Sequence, residues 1–366
     1  MQIRCSAPGK IILHGEHAVV HGAPALAVAI DRRTYVTITI TPSDTCRLRI
    51  LGAEFILSHS SLIKLSASFR SRKQSFILSD QVADELQRFV DDNIKSDQPE
   101  HAISLTVFAY LFAAISSQYP ESHLLQKAFE IVIESELPIG AGLGSSASFC
   151  AATTGAILFA TTNRELNEND RDNVNRYAFQ AECIVHGNPS GVDNFVAVGG
   201  GAVLYRIGAE PKRLPAPLQQ RVIIVDTKIS RSTKHLVASV SEFRRRHPDV
   251  AAKLIEAIGE ISQEAVQRLN SGSSTICPEL IRVNHRLLDG LGVSHIAIEQ
   301  ICKMAEHHGM AAKLTGAGGG GCVICIVPED SDTEQFMIEV RQAGFYPFET
   351  TFSSIGVDVR HVDVYT

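Results

Sequence analysis

The stretch Pro138-Ile-Gly-Ala-Gly-Leu-Gly-Ser-Ser-Ala-Ser148 sets glycines at 140, 142 and 144 directly ahead of two hydroxyls, Ser145 and Ser146. Glycine permits positive φ and lets backbone come close to a ligand. Where such a loop opens a helix, free N–H groups and the positive end of the helix dipole make an anion site suited to phosphate. A plain helix cap would need only one glycine and one serine, and this stretch offers more. Downstream, Val174, Tyr177, Ala178, Ala181, Ile184 and Val185 follow helical spacing and define a buried face, with Glu182 beside it. Gly187 can end that helix, and Asn188-Pro-Ser-Gly-Val-Asp193 reads as a tight turn presenting a second carboxylate. One carboxylate for a metal and one for a proton suit phosphoryl transfer from Mg-ATP. Near the start, Lys10 and Glu16 sit in an apolar segment, where burial is costly unless they pair or serve a ligand.

The elements that must position these groups can be read from local pattern. Phe129, Ile131 and Ile133 alternate as in a half-buried strand leading into the glycine loop, and Ala147 to Phe159 reads as a buried helix leaving it. Pro8 and Gly9 read as a turn before a short strand, Ile11 to Leu13, and Ala23 to Ile30 as a helix or strand ahead of a strand over Thr34 to Thr41. Between 42 and 127 the pattern suggests strands near Cys46 to Leu57 and helices over Asp80 to Lys95 and His101 to Ser117, with nothing that carries chemistry. Arg206 to Gln220, with prolines at 211, 215 and 217, reads as a linker, and a new β-run starts at Arg221. Domains over 1–215 and 216–366 are therefore expected. Helices follow over Thr233 to Arg246, Val250 to Asn270, Cys277 to Leu291 and His295 to His308.

Two other motifs lose their obvious meaning in context. Gly316, Gly318 and Gly321 satisfy G-x-G-x-x-G, but a dinucleotide fingerprint opens a helix, and Cys322 to Val327 reads as a strand; an oxidoreductase at this turn is disfavoured. Cys322 and Cys325 point to opposite faces of that strand, so the turn is read as a close approach between backbones. His14, His17 and His21 could suggest zinc, yet Gly15 and Gly22 break the helix that would align them.

The 366 residues favour two domains, and 45% hydrophobic with 20% charged residues is ordinary for a globular enzyme. A net charge of -6 argues against a nucleic-acid or membrane-surface partner. The short basic runs Arg70 to Lys73 and Arg244 to Arg246 read as solvated faces. Eight scattered cysteines and no apolar leader suggest reduced thiols and a cytoplasmic protein. The mainly apolar run Ile103 to Ile115 is too short to span a bilayer.

Three motifs in order, Pro8-Gly-Lys10, Gly142-Leu-Gly-Ser-Ser146 and Lys313-Leu-Thr-Gly-Ala-Gly-Gly-Gly-Gly321, resemble those of the galactokinase, homoserine kinase, mevalonate kinase and phosphomevalonate kinase superfamily. His14-Gly-Glu-His-Ala-Val-Val-His-Gly22 and His186-Gly-Asn-Pro-Ser-Gly-Val-Asp-Asn194 are similar to the forms of its mevalonate kinase branch. The resemblance implies a two-domain α+β fold: an N-terminal α/β domain of the ribosomal protein S5 domain 2 type and a C-terminal ferredoxin-like domain, with the active site in the cleft between them. It implies ATP held by Gly140, Ala141, Gly142, Leu143, Gly144, Ser145 and Ser146, with Ser135 reaching the nucleotide. Mg²⁺ would be held by Ser146 and Glu182, Ser145 being the alternative hydroxyl. Asp193 would take the acceptor's proton or orient its hydroxyl beside Lys10, and Glu16, His17 and Thr233 would help position mevalonate. The last motif would brace the phosphate loop from the other domain. A homodimer and inhibition by isoprenoid diphosphates at the ATP site are also implied. Another kinase of the superfamily, or a non-catalytic nucleotide or sugar-phosphate sensor on the same fold, is the alternative; a sensor would be expected to have lost Lys10, Glu182 or Asp193.

Overall fold

The computed structural model describes residues 2–70, 77–94, 101–215, 220–230 and 232–362. Part of the 70-to-73 basic run, Lys95, Pro217 of the linker, Arg231 and the C-terminal Val364-Tyr-Thr lie outside the described residues.

Two sheets organise the chain. The first contains β1 (Gln2–His14), β2 (Ala25–Ile40), β3 (Thr45–Ile50), β4 (Ala53–Ser58), β5 (Phe129–Ser135), β6 (Ala202–Tyr205), β7 (Lys212–Arg213) and β12 (Asp358–His361). Its order is β12-β1-β2-β5-β3-β4, with β6 and β7 attached along the first half of β2. The second contains β8 (Arg221–Asp226), β9 (Ala311–Leu314), β10 (Cys322–Ile326) and β11 (Tyr346–Thr351), in the order β11-β8-β10-β9. That is the 4-1-3-2 order of a ferredoxin-like unit, with extra helices between its first two strands.

Helices cover each sheet. Ser145–Thr162 is buried almost throughout and has no polar face, because it lies in the middle of the first core, against the helix Ala102–Ser116 and the sheet. A second cluster joins the sheets: Ile11, Leu13 and Val28 of the first meet Val222, Ile224 and Ile324 of the second. The last strand, β12, returns to pair with β1, so the chain leaves the first sheet near residue 213 and comes back to it at its end.

Three local readings differ from the structure. Pro8-Gly9 is not a turn: β1 runs straight through it, and the register against β2 merely shifts there. Proline is tolerated at such an irregularity because no ladder hydrogen bond is asked of it. Ala25 to Ile40 is one sixteen-residue strand, long enough to pair with β6 by one half and β5 by the other. Asp193 lies in the first turn of a helix, Val192–Gly199, which Gly191 caps in a left-handed conformation. The helices His59–Arg70 and Glu334–Gln342 and the strands β11 and β12 carry too little periodicity to be seen in advance.

The helix Glu168–His186, which carries Glu182, is anchored at its start by a capping box between Asn167 and Asp170. Arg164 grips the same carboxylate in a fork, at 2.5 and 2.9 Å. The guanidinium holds the Asp170 carboxyl below the usual carboxylate range, against the opposing pull of burial. Asp170→Ala is expected to cost about 1.5–3 kcal/mol at neutral pH, measurable by urea unfolding. Since the folded value is depressed, this contribution is complete above the usual carboxylate range and lost as pH falls through the lowered value. Equal losses in acid and at neutrality would show that the charge plays no part.

Candidate active site

The glycine loop owes its shape to alternate residues facing opposite ways. Ala141 and Leu143 are buried in the core that joins the sheets, while Gly140, Gly142 and Gly144 face a cleft and all take positive φ. Of Ala141 and Leu143, then, backbone rather than side chain is available to a ligand. Ser145 begins the helix directly after Gly144.

β1 lies hard against this loop. The Lys10 N–H donates to the Leu143 carbonyl at 2.8 Å. A side chain at Gly9 would meet that carbonyl at 2.8 Å, and one at Gly144 would meet the Lys10 side chain at 3.0 Å. Glycine at both positions is what lets the lysine stand beside the helix start.

Four of the expected residues meet there. Ser146 Oγ donates to Glu182 Oε1 at 2.5 Å and lies 2.9 Å from His186 Nε2. Lys10 Nζ is 3.3 Å from Asp193 Oδ1. Burial is the main cause pushing the Glu182 carboxyl up; the Ser146 hydrogen bond and His186 oppose it, and Asp193 adds to it. The Cys150 thiol, one turn behind Ser146, points at the same carboxylate from 3.7 Å.

A cavity of about 500 Å³ brings the distant parts together: Lys10, Glu16 and His17, then the glycines at 140, 142 and 144 with Ser145 and Ser146, then Asp193, Thr233 and Gly316 line it. Local pattern left Lys10 and Glu16 either to pair or to serve a ligand; they do not pair, Lys10 standing beside Asp193 as the resemblance implies and Glu16 having a different partner. Glu16 is paired with Lys313, both side chains being fully buried. His17 has positive φ and its ring contacts the Ala317 carbonyl at 2.8 Å. His21 faces Arg244, and His14 is buried, so the three N-terminal histidines diverge.

The last motif grips β1 and the turn after it. Thr315 Oγ1 accepts from the Ile12 N–H and donates to its carbonyl. Gly316 and Ala317 face the cleft opposite the 140-to-146 wall.

Ser135 lies apart from this cavity, bonded to Thr34 at 2.9 Å. It lines an adjoining pocket of about 350 Å³ that shares Ser145, Ser146, Ile139 and Val185 with the main cleft and extends to Leu51, Ile103, Val107 and Phe149. Sequence reasoning missed this pocket, because one of its walls, with Leu51, Ile103 and Val107, comes from 42–128, which carries no motif. His186 was also missed, although its position four after Glu182 places both on one helix face.

For chemistry, a hydroxyl and a buried carboxylate in contact are hard oxygen donors of the kind magnesium takes together with phosphate oxygens. A glycine wall at a helix start can hold a polyphosphate, and the cation–carboxylate pair opposite can handle the proton of an alcohol. Together with the two-lobed fold, this defines the class: a small-molecule kinase of the GHMP type, with ATP as phosphoryl donor. Residues 107–201 match the family described as GHMP kinases N terminal domain, and 254–344 that described as GHMP kinases C terminal. The mevalonate kinase of Arabidopsis thaliana is 34% identical, the match covering 98% of this chain and all of the relative. That of Bos taurus is 35% identical, over 97% of this chain and 94% of the relative. The crystal structure of the Methanococcus jannaschii mevalonate kinase superposes with a TM-score of 0.73 at 23% identity, covering 96% of this chain and 98% of that one. The chain belongs to the mevalonate kinase family.

Proposed function

We propose that the protein transfers the γ-phosphoryl group of ATP to the 5-hydroxyl of mevalonate, giving 5-phosphomevalonate. The observation that carries this reading is the placement of the Lys10–Asp193 pair, 3.3 Å apart, on the same cleft as the glycines at 140, 142 and 144. A primary alcohol is a weak nucleophile, and transfer through a loose transition state asks for alignment and charge neutralisation above all. Backbone N–H groups of 140–146 hold the triphosphate, and the Ser135 pocket takes the nucleoside. Ser146 and Glu182 hold Mg²⁺, their contact favouring Ser146 over Ser145. An ion held there would supply charge neutralisation at the phosphate oxygens. Asp193 accepts or orients the hydroxyl proton, with Lys10 beside it, while Glu16, His17 and Thr233 position the acceptor.

Two lobes divided near residue 215, with 358–361 lent back to the first sheet, belong to the same reading. So do a homodimer, a cytoplasmic enzyme of isoprenoid and sterol synthesis, and inhibition by isoprenoid diphosphates competing with ATP. Among the described residues no helix is long and apolar enough to cross a membrane, and the eight cysteines form no disulfide.

ADP release from Mg-ATP with mevalonate, phosphomevalonate, galactose and homoserine tests the function; turnover of any of the last three without mevalonate would overturn it. Ser146→Ala is expected to raise the Mg²⁺ concentration needed for half-maximal rate by about tenfold or more, and Ser145→Ala far less. The reverse order would move the metal to Ser145.

A further inference from the structure

Lys313 is a fully buried lysine on a four-residue strand whose other members, Ala311, Ala312 and Leu314, are all apolar and buried. Its Nζ donates to Glu16 Oε1 and, at 2.7 Å, to the Leu314 carbonyl. Asn284, from the helix Pro278–Gly290, donates to the other Glu16 oxygen at 3.2 Å. Two elements, a strand and a helix, thus converge on one carboxylate.

Stability alone does not account for such a pair. Stripping water from two charges costs several kcal/mol each, and apolar residues of similar volume at such sites are often neutral or better for the fold. Location offers a reason. Glu16 lies in the turn that lines the cleft together with Lys10, Asp193 and Thr233, its side chain buried behind it, and the next residue, His17, is held at φ 59°, a conformation that persists only where the surroundings enforce it. The neighbouring histidines do not replace the lysine as cations. Burial is the first cause holding both His14 and His285 below the ordinary histidine value, and Lys313 adds to it. Burial lowers Lys313 too, but Glu16 opposes that by charge and hydrogen bond.

We propose that Lys313 is a positioning residue for the acceptor: from behind the cleft wall it fixes the buried Glu16 carboxylate and cancels its charge, so that an acceptor carrying its own carboxylate can lie against the turn formed by residues 16 and 17. This rests on the reading of mevalonate, a hydroxy acid, as acceptor. Without Lys313, Glu16 would set an uncancelled negative charge behind the wall on which the acceptor's anion lies, in a site where like charges repel strongly.

The test is steady-state kinetics of the full chain with mevalonate and with its uncharged amide. Lys313→Met is expected to raise the KM for mevalonate by about tenfold or more, with the KM for the amide, the KM for ATP and kcat each moving less than about threefold. Thr315→Val removes the two Ile12 hydrogen bonds between the same elements without touching Glu16. It is expected to lower Tm and leave the KM for mevalonate within about twofold. Should Lys313→Met not fold, Asn284→Leu carries the same test, with an expected rise of about threefold for mevalonate against none for the amide. A mevalonate KM that does not move, or one that rises equally for acid and amide, would overturn the proposal. A wild-type protein that does not turn over mevalonate would instead remove the acceptor assignment on which it rests.

Discussion

Asp193→Ala should lower kcat by about 10³-fold while leaving the KM for ATP within about threefold. The carboxylate stands in the first turn of the helix Val192–Gly199, aimed by the left-handed Gly191 cap, with Lys10 at 3.3 Å and the cleft in front of it. On the proposed reading, removing it takes away the group that handles the acceptor's proton and leaves the phosphate wall untouched. Asp193→Asn separates two roles: an amide can still orient a hydroxyl but cannot take up its proton. Recovery of most of the rate in the asparagine variant would make orientation the dominant task. Lys10→Met should cost about 10²-fold, and the double variant with Asp193→Ala little more than Asp193→Ala alone, since the two act as a unit. ADP release at saturating mevalonate and ATP measures all four variants, and an alanine variant within tenfold of wild type would remove Asp193 from the chemistry.

Glu182→Gln should lower the rate by about 10³-fold and raise the Mg²⁺ concentration required, because a metal clamp contributes several kcal/mol of charge stabilisation. The same change should leave the ligand-free protein as stable as wild type or more so at neutral pH. Burial raises the Glu182 carboxyl above its usual value, so the folded state disfavours the ionised form relative to the unfolded chain. That penalty is absent in acid, below the usual carboxylate range, and develops as pH rises through the raised folded value. The stability gain of the glutamine variant should therefore appear at neutral pH and vanish in acid, as read from thermal unfolding of the two ligand-free proteins. A glutamine variant less stable at neutrality would mean that the Ser146 hydrogen bond to the charged carboxylate outweighs its desolvation.

These two residues also mark how far local pattern reaches. Glu182 could be placed on a helix flank from the spacing of Val174, Ala178 and Val185, and the structure buries it there. Asp193 could be identified as a displayed carboxylate, but the helix beginning at Val192 could not, since eight residues give too short a period. The pocket beside Ser135 left no trace at all: Leu51 of a turn and Ile103 and Val107 of the helix Ala102–Ser116 are ordinary apolar residues, and only their convergence makes them a wall.

What the amino-acid order by itself determined is the chemistry that depends on neighbours along the chain. Glycines at 140, 142 and 144 before a helix start, Ser146 at its first turn, and Glu182 one turn before the end of its helix all follow from φ preferences, capping and helical period, which act over a few residues. The pairings were decided by tertiary structure alone. Lys10 meets Asp193 rather than Glu16, and Glu16 meets Lys313, 297 positions away. A buried charge must find a partner, but which one it finds depends on how two sheets pack across a shared core, and that packing leaves no signal in the spacing of the residues it brings together.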